Sequence, residues 1–290
     1  MTTVTVNGLS LKQRNIQINF ILNYGKVFQG KYNAKTVTAN DMTARVTKQG
    51  GKAKDTADVV VYGMPIDDIA QLTTLNYKTL ELSKNKIEIY AGYDDNLSLI
   101  FLGDIIEAWG DFSDVNRPLK IKAQTGFYAN ASALKPISAK GMVSASNIFE
   151  TIAKQAGFTF VNNGVNKQIS NPVLTGGSVD QIQMLASRIG VTAKVDSNVL
   201  TIYGSEAKTG VIPLLNRHSG LINYPKINQH GVEFECYYNS SIKWNSCVEL
   251  DTISPRCSGI WQVYYIEYNL TNNEEEFIMH VKASPRGTLV

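Results

Sequence analysis

The sequence predicts a mainly β protein with a small α+β insert: two antiparallel, barrel-like β domains flank one mixed domain. Three observations predict it. Apolar and polar residues alternate at period two before about residue 128, helical periodicity takes over between about 137 and 203, and period two returns beyond a linker at 204–218. The domains are set at 1–128, 129–203 and 204–290. A chain of 290 residues has room for two or three modest cores.

In the first segment Ile16, Ile18, Phe20 and Leu22 alternate with Asn15, Gln17 and Asn19, a strand with one polar face. Thr36 to Val46 is rich in β-branched residues, and Val59-Val60-Val61 is a short buried run ended by Gly63. Met64 to Leu72 predicts a short helix, with Pro65 in its first turn and Asp67 and Asp68 at its positive end. Lys86 to Tyr90 turns Ile87 and Ile89 inward. Leu97 to Phe112 predicts a long strand with Gly103 in its middle, where a glycine marks a bulge or a sharp bend. The loop from Asp111 to Pro118 leads into a last strand, Leu119 to Phe127.

In the middle segment Ser144 caps a helix carrying Ile148, Phe149, Ile152, Ala153 and Ala156, stopped by Gly157 and followed by the strand Phe158 to Val161. Ser178 and Gln181 read as a capping box ahead of the stripe Ile182, Leu185, Ala186 and Ile189, and Gly190 ends that helix. Val191–Val195 and Asn198–Tyr203 then form a hairpin. The helix–glycine–strand unit occurs twice, short of the three copies a solenoid needs. In the last segment Val232, Phe234, Cys236 and Tyr238 alternate with Glu233, Glu235 and Tyr237. Cys247–Leu250 and Gly259–Tyr268 continue an antiparallel meander, with turn signals at Pro255 and Gly259.

Reactive chemistry is not signalled. His218, His230 and His280 sit in three segments without metal-ligand spacing. Cys236, Cys247 and Cys257 form no Cys-x-x-Cys pair and are expected to be reduced, partly buried thiols. Asp94-Asp95-Asn96 lacks the ligand spacing of a calcium loop and reads as a hairpin turn, and Glu274-Glu275-Glu276 as a solvated hairpin tip. Gly176-Gly177-Ser178 is a helix cap without the lysine of a phosphate loop. No two carboxylates are set to face one another across a cleft. The expectation is a protein that is not an enzyme, with no catalytic residue, no cofactor and no metal.

Composition restricts the partners. The net charge of +3 is small and scattered; its densest stretch, Lys48, Lys52 and Lys54 beside Gly50-Gly51, reads as a solvated loop and argues against a specific nucleic acid. Neither a signal segment nor an apolar run of the ~20 residues a span requires is seen, so no membrane is expected. Charged residues are 18%, against roughly 25% in an average domain, and twenty-five Asn supply polarity instead. Amides and hydroxyls are desolvated against a partner at lower cost than charges. Trp109, Trp244 and Trp261, with Tyr264, Tyr265 and Tyr268, read as core or subunit contact ahead of a sugar platform.

The order of pieces between Ser219 and Leu270 carries a resemblance. A Gly220-Leu221-Ile222-Asn223-Tyr224-Pro225 turn precedes the strand Gly231 to Tyr238; the loop Asn239 to Ile242, Val248-Glu249-Leu250 and Gly259-Ile260-Trp261-Gln262-Val263 follow. This order resembles the C-terminal domain of the baseplate hub proteins of tailed phages, of the late control protein D-like type. The stretch Ile100-Phe101-Leu102-Gly103-Asp104-Ile105 is similar to a strand that recurs in tail hub and tail-tube-like domains. Ser240 stands where the family has a proline, and Trp244-Asn245-Ser246 where it often has a glycine.

The resemblance implies that both β domains are tail-tube-like and that the chain is a structural virion component, assembled in the host cytoplasm. It implies a homotrimeric ring with a central channel, partnered by the tail tube protein, the central spike protein, the tape measure protein and other baseplate proteins. A second reading is a carbohydrate- or cell-wall-binding tail-associated protein, with or without lytic activity. Trp244 lies between strands, poorly placed to reach its own domain's core. With Asn239 and Ile242 of the preceding loop it is expected to contact another subunit or another domain; otherwise it closes the end of its own barrel.

Overall fold

Alternating patterns before residue 128 and after residue 211 build a single large sheet. The structure, a computed structural model, describes residues 5–6, 9–10, 13–22, 28, 33–38, 41–50, 53–74, 85–131, 134–204, 211–273 and 276–285. The first segment holds β1 (Thr5–Val6), β2 (Leu9–Ser10), β3 (Arg14–Ile21), β4 (Ala34–Val37), β5 (Met42–Gln49), β6 (Thr56–Val61), α1 (Ile66–Leu72), β7 (Lys86–Tyr93), β8 (Asn96–Gly110), β9 (Leu119–Gln124) and α2 (Phe127–Ala131). The middle holds β10 (Ile137–Ser138), β11 (Met142–Ser144), α3 (Ala145–Ala156), β12 (Thr159–Asn163), β13 (Gln168–Ser170), β14 (Val173–Leu174), α4 (Ser178–Ile189), β15 (Thr192–Asp196) and β16 (Val199–Tyr203). The last holds β17 (Leu214–Leu215), β18 (Leu221–Asn228), β19 (Gly231–Tyr237), β20 (Cys247–Leu250), β21 (Gly259–Thr271) and β22 (Phe277–Pro285). The chain is mainly β, as the patterning predicts.

The large sheet runs β18-β19-β22-β21-β5-β6-β9-β8-β7-β3-β4, with β20 on β21 and β17 on β20. Its seam is the antiparallel pair β21–β5, in register from Tyr265 opposite Gln49 to Thr271 opposite Thr43. The first and last segments therefore share one sheet and one core, where Phe20, Phe101 and Phe277 are fully buried. Tyr238 reaches across that core and donates its hydroxyl to the Ala91 carbonyl at 3.0 Å.

The middle segment has its own core, built from Phe149, Ile152, Leu185, Leu200 and Ile202. α3 and α4 occupy the predicted spans, and each ends on a left-handed glycine, Gly157 at φ 76 and Gly190 at φ 60. The strands that follow them, β12 and β15, flank β16, the first parallel and the second antiparallel to it. The β15–β16 turn places Ser197 and Asn198 at φ 50 and 64, the positive pair that a type I′ hairpin requires.

Two local expectations are corrected. The Ser178–Gln181 capping box does not form: Gly177 is the cap residue, and Gln181 instead donates Nε2 to the Gly176 carbonyl at 3.1 Å. Asn130 of α2 takes over the capping, its Oδ1 accepting the Val179 N–H at 3.2 Å. Gly103 is not the bulge. Register breaks on either side of it, between Ile89 and Tyr90 against β7 and between Ile105 and Glu107 against β9. A Cβ at Gly103 would lie 2.6 Å from the Phe101 ring and 2.9 Å from the Gln124 carbonyl oxygen, so close approach explains the residue.

Pro65 is the cap of α1, and Asp68 in that helix is buried and paired with Lys35. The Asp94-Asp95 turn is the β7–β8 hairpin turn, and Asp94 Oδ1 accepts the Gln13 N–H at 3.0 Å. Cys236, Cys247 and Cys257 are free and buried. Glu274 and Glu275 lie outside the described residues.

Candidate functional site

The insert meets the sheet through a cluster of buried charges. Lys48 belongs to the inward row of β5 with Ala44 and Val46, and is 7% exposed. β15 delivers Lys194 and Asp196, two residues apart and so on one side of the strand. Lys48 Nζ donates to both Asp196 oxygens, at 2.9 and 2.7 Å. Lys194 Nζ donates to Asp55 Oδ1 and to the Gln49 carbonyl, both at 3.0 Å. Asp55, just before β6, also accepts the Gln49 N–H at 3.0 Å.

Burial dominates the deeper pair. It pushes the Asp55 carboxyl up against the opposing charges of Lys194 and Lys48, and it pushes the Lys194 ammonium down against those of Asp55 and Asp196. Asp196 behaves differently: burial would raise its carboxyl, but the charge and hydrogen bonds of Lys48 outweigh it and hold it below the usual value. The solvated reading of this basic stretch is thus corrected for Lys48, which is folded inward by the period of β5 and neutralised from the insert. Burial also lowers Lys54. Lys52 lies outside the described residues.

Trp244 sits against the same cluster. Its indole N–H donates to the Tyr264 carbonyl at 2.8 Å, and Lys194 Nζ stands 4.4 Å from its ring centroid. Tyr203 of the insert meets it edge-on at 5.9 Å. A Cβ at Gly50 would lie 2.7 Å from the indole, so the end of β5 closes on it. The half-buried ring therefore touches the sheet and the insert together. Ile242, 1% exposed, belongs to the core of the large sheet. Asn239 shapes its loop: its N–H donates to Met279 Sδ at 3.3 Å, its Oδ1 accepts the Ser241 N–H at 2.9 Å and its carbonyl accepts the Ile242 N–H at 3.1 Å.

A cleft of about 520 Å³ opens beside the cluster, between Asp196 and Tyr203 on the insert and Lys243, Trp244 and Ser98 on the sheet. The other tryptophans stand elsewhere, Trp109 beneath Lys122 at 5.7 Å and Trp261 donating its N–H to the Cys257 carbonyl at 2.9 Å. His218 accepts from Arg217 Nε at 2.8 Å and His280 Nδ1 lies 3.3 Å from Glu235. Among the described residues no three His, Cys, Asp or Glu side chains converge on a metal site. Sequence reasoning missed Asp55, Lys194 and Asp196. The available signal was Lys194-Val195-Asp196, opposite charges on one face of a strand otherwise bound for a core.

The arrangement of one long β sheet with an α+β insert is shared with solved structures. The tail protein from Neisseria meningitidis MC58 shares it with a TM-score of 0.65 at 9% identity, over 94% of this chain and 97% of that one. The 43 kDa tail protein of prophage MuSo2 from Shewanella oneidensis shares it with a TM-score of 0.60 at 9% identity, over 93% and 98%. So does the E. coli c3393 protein, a type VI secretion component described as similar to the T4 tail proteins gp27 and gp5, at 0.62 and 8% over 92% and 76%. No curated protein sequence matches the chain. The family model for baseplate hub gp41 matches residues 16–283, and the chain belongs to that family of phage tail structural proteins.

Proposed function

We propose that this chain is the hub of a phage baseplate, a homotrimeric ring around a central channel that connects the tail tube to the central spike. The observation that carries the reading is the β5–β21 seam, which joins the strands of residues 14–124 and 214–285 into one sheet. Each strand set stands for a tail-tube-like, barrel-forming domain. Three chains then offer six such units to a six-fold tube while keeping three-fold symmetry toward the spike, so duplication within a chain resolves the mismatch. The buried charge cluster holds the insert in one pose on that wall.

The ring is a virion component assembled in the host cytoplasm, with the tape measure and other baseplate proteins as further neighbours. It has no catalytic role, no cofactor and no specific nucleic acid or membrane partner. Light scattering on the purified chain tests the assembly: three chain masses are expected, and a monomer at every concentration overturns it. Zymography on cell-wall material tests the chemistry. No clearing is expected; clearing lost with Asp104→Asn or Glu107→Gln would reveal an active site on β8.

A further inference from the structure

The loops at one end of the sheet build a surface with no use inside the chain. β8 ends and β9 begins there, and so do β6 and α1, β21 and β22, and the start of β5. The β8–β9 loop holds Phe112 and Val115 out in solvent, 58% and 94% exposed, and α1 exposes Ile66 at 54%. It is tied down all the same. Asp111 Oδ1 accepts the Ser113 N–H at 3.2 Å and hydroxyl at 2.6 Å, and Asp111 Oδ2 holds Lys120 at 2.8 Å. Asp114 Oδ1 accepts the Asn116 N–H at 2.9 Å, and the Asp111 N–H closes the loop on the Pro118 carbonyl at 2.9 Å. A Cβ at Gly110 would lie 2.9 Å from the Phe112 ring, so the ring rests on bare backbone. Exposed apolar side chains on a loop already ordered lose little entropy on binding.

Charge selects the partner. Beyond the Asp111–Lys120 pair, the exposed described residues Asp41, Asp67, Asp114 and Glu276 at this end stand against Arg117 alone. The insert carries the opposite sign. With its Lys154–Glu150 pair and the two junction pairs set aside, Lys135, Lys140, Lys167 and Arg188 stand against Asp180. It also exposes apolar residues of its own, Met142 at 64% and Val173 at 61%. Met142 pairs with Ser170, whose carbonyl accepts from Arg188 at 3.2 Å, and Val173 pairs with Ser138, so that Lys140 lies in the chain midway between Met142 and the partner of Val173.

We propose that the acidic Phe112–Val115 end of one chain docks on the basic Met142–Val173 face of the insert of a second copy. The contact is head-to-tail, the kind that closes into a ring when its rotation allows. It rests on the ring reading and names the two surfaces that would make it.

Sedimentation velocity over a concentration series tests it, with thermal unfolding to confirm that each variant folds. Phe112→Ser and Asp114→Lys are each expected to weaken association at least tenfold without lowering the unfolding temperature. Lys140→Glu combined with Asp114→Lys is expected to restore it, because the swapped charges again attract. Association left unchanged by Phe112→Ser and by Asp114→Lys, or weakened by Asp114→Lys and not restored when Lys140→Glu is added, overturns this pair of surfaces and leaves the ring standing. A wild-type chain that stays monomeric overturns both.

Discussion

Lys194 Nζ lies 3.0 Å from Asp55 Oδ1, and this pair, 6% and 1% exposed in its side chains, joins the helical insert to the large sheet. Apolar surface alone does not hold the two cores together. A buried ion pair adds little net stability over apolar residues of the same shape, but leaving one partner behind is expensive. The junction therefore specifies one pose more than it adds strength.

The first prediction follows from that asymmetry. Lys194→Met strands the Asp55 carboxylate and removes the cation over Trp244. It should cost about 3 kcal/mol in urea unfolding, and the double change Lys194→Met with Asp55→Leu should cost less than the single one. A double variant as unstable as the sum of two singles would show that the sites act independently.

Acid should act on the other pair. Asp196 is held below its usual value of 3.8, so the stability it contributes is present above that value and is lost as pH falls through the lower folded value. Asp55, raised in the fold, works in the opposite sense: its contribution is full below its unfolded value and is lost as pH rises through the folded one. The difference in unfolding free energy between wild type and Asp196→Asn should therefore stay level from neutral pH to about pH 5 and shrink below about pH 4. A difference that grows on acidification would mean that Lys48 does not hold the carboxylate in its charged form.

Trp244 gives a third test. Within the chain it touches the Tyr264 carbonyl, Lys194, Tyr203 and Gly50, on both the sheet and the insert. Trp244→Ala should lower unfolding stability by about 2 kcal/mol, less than for a fully buried tryptophan because the ring is half-buried. Association should be unchanged. A tenfold weaker association with unaltered stability would return the residue to a subunit interface.

Much of this architecture was legible in the sequence, because local signals set it. The i, i+3, i+4 stripes of α3 and α4 and the glycines that end them need only neighbouring residues. The order of strands from Gly231 to Tyr268 likewise carried the resemblance to phage hubs. What escaped was set by contacts distant in sequence. Nothing in either stretch says that Tyr268 will pair with Val46, so two strand sets that read as separate domains gave no warning of their seam. Asn130 displaced the Ser178 cap through a helix–helix contact, and the burial of Lys48 depended on Asp196, 148 residues away. The contacts of Trp244 with Tyr203 and Lys194 were not legible either, because those residues lie 41 and 50 positions earlier and no local pattern links them to it.

Single-particle electron microscopy of the purified chain tests the central claim most directly. Class averages should show a ring of three equal subunits around an open centre, each subunit wide enough for the whole sheet with its insert docked outside the opening. Particles of one subunit only, or a closed assembly without a channel, would contradict a hub that joins tube to spike.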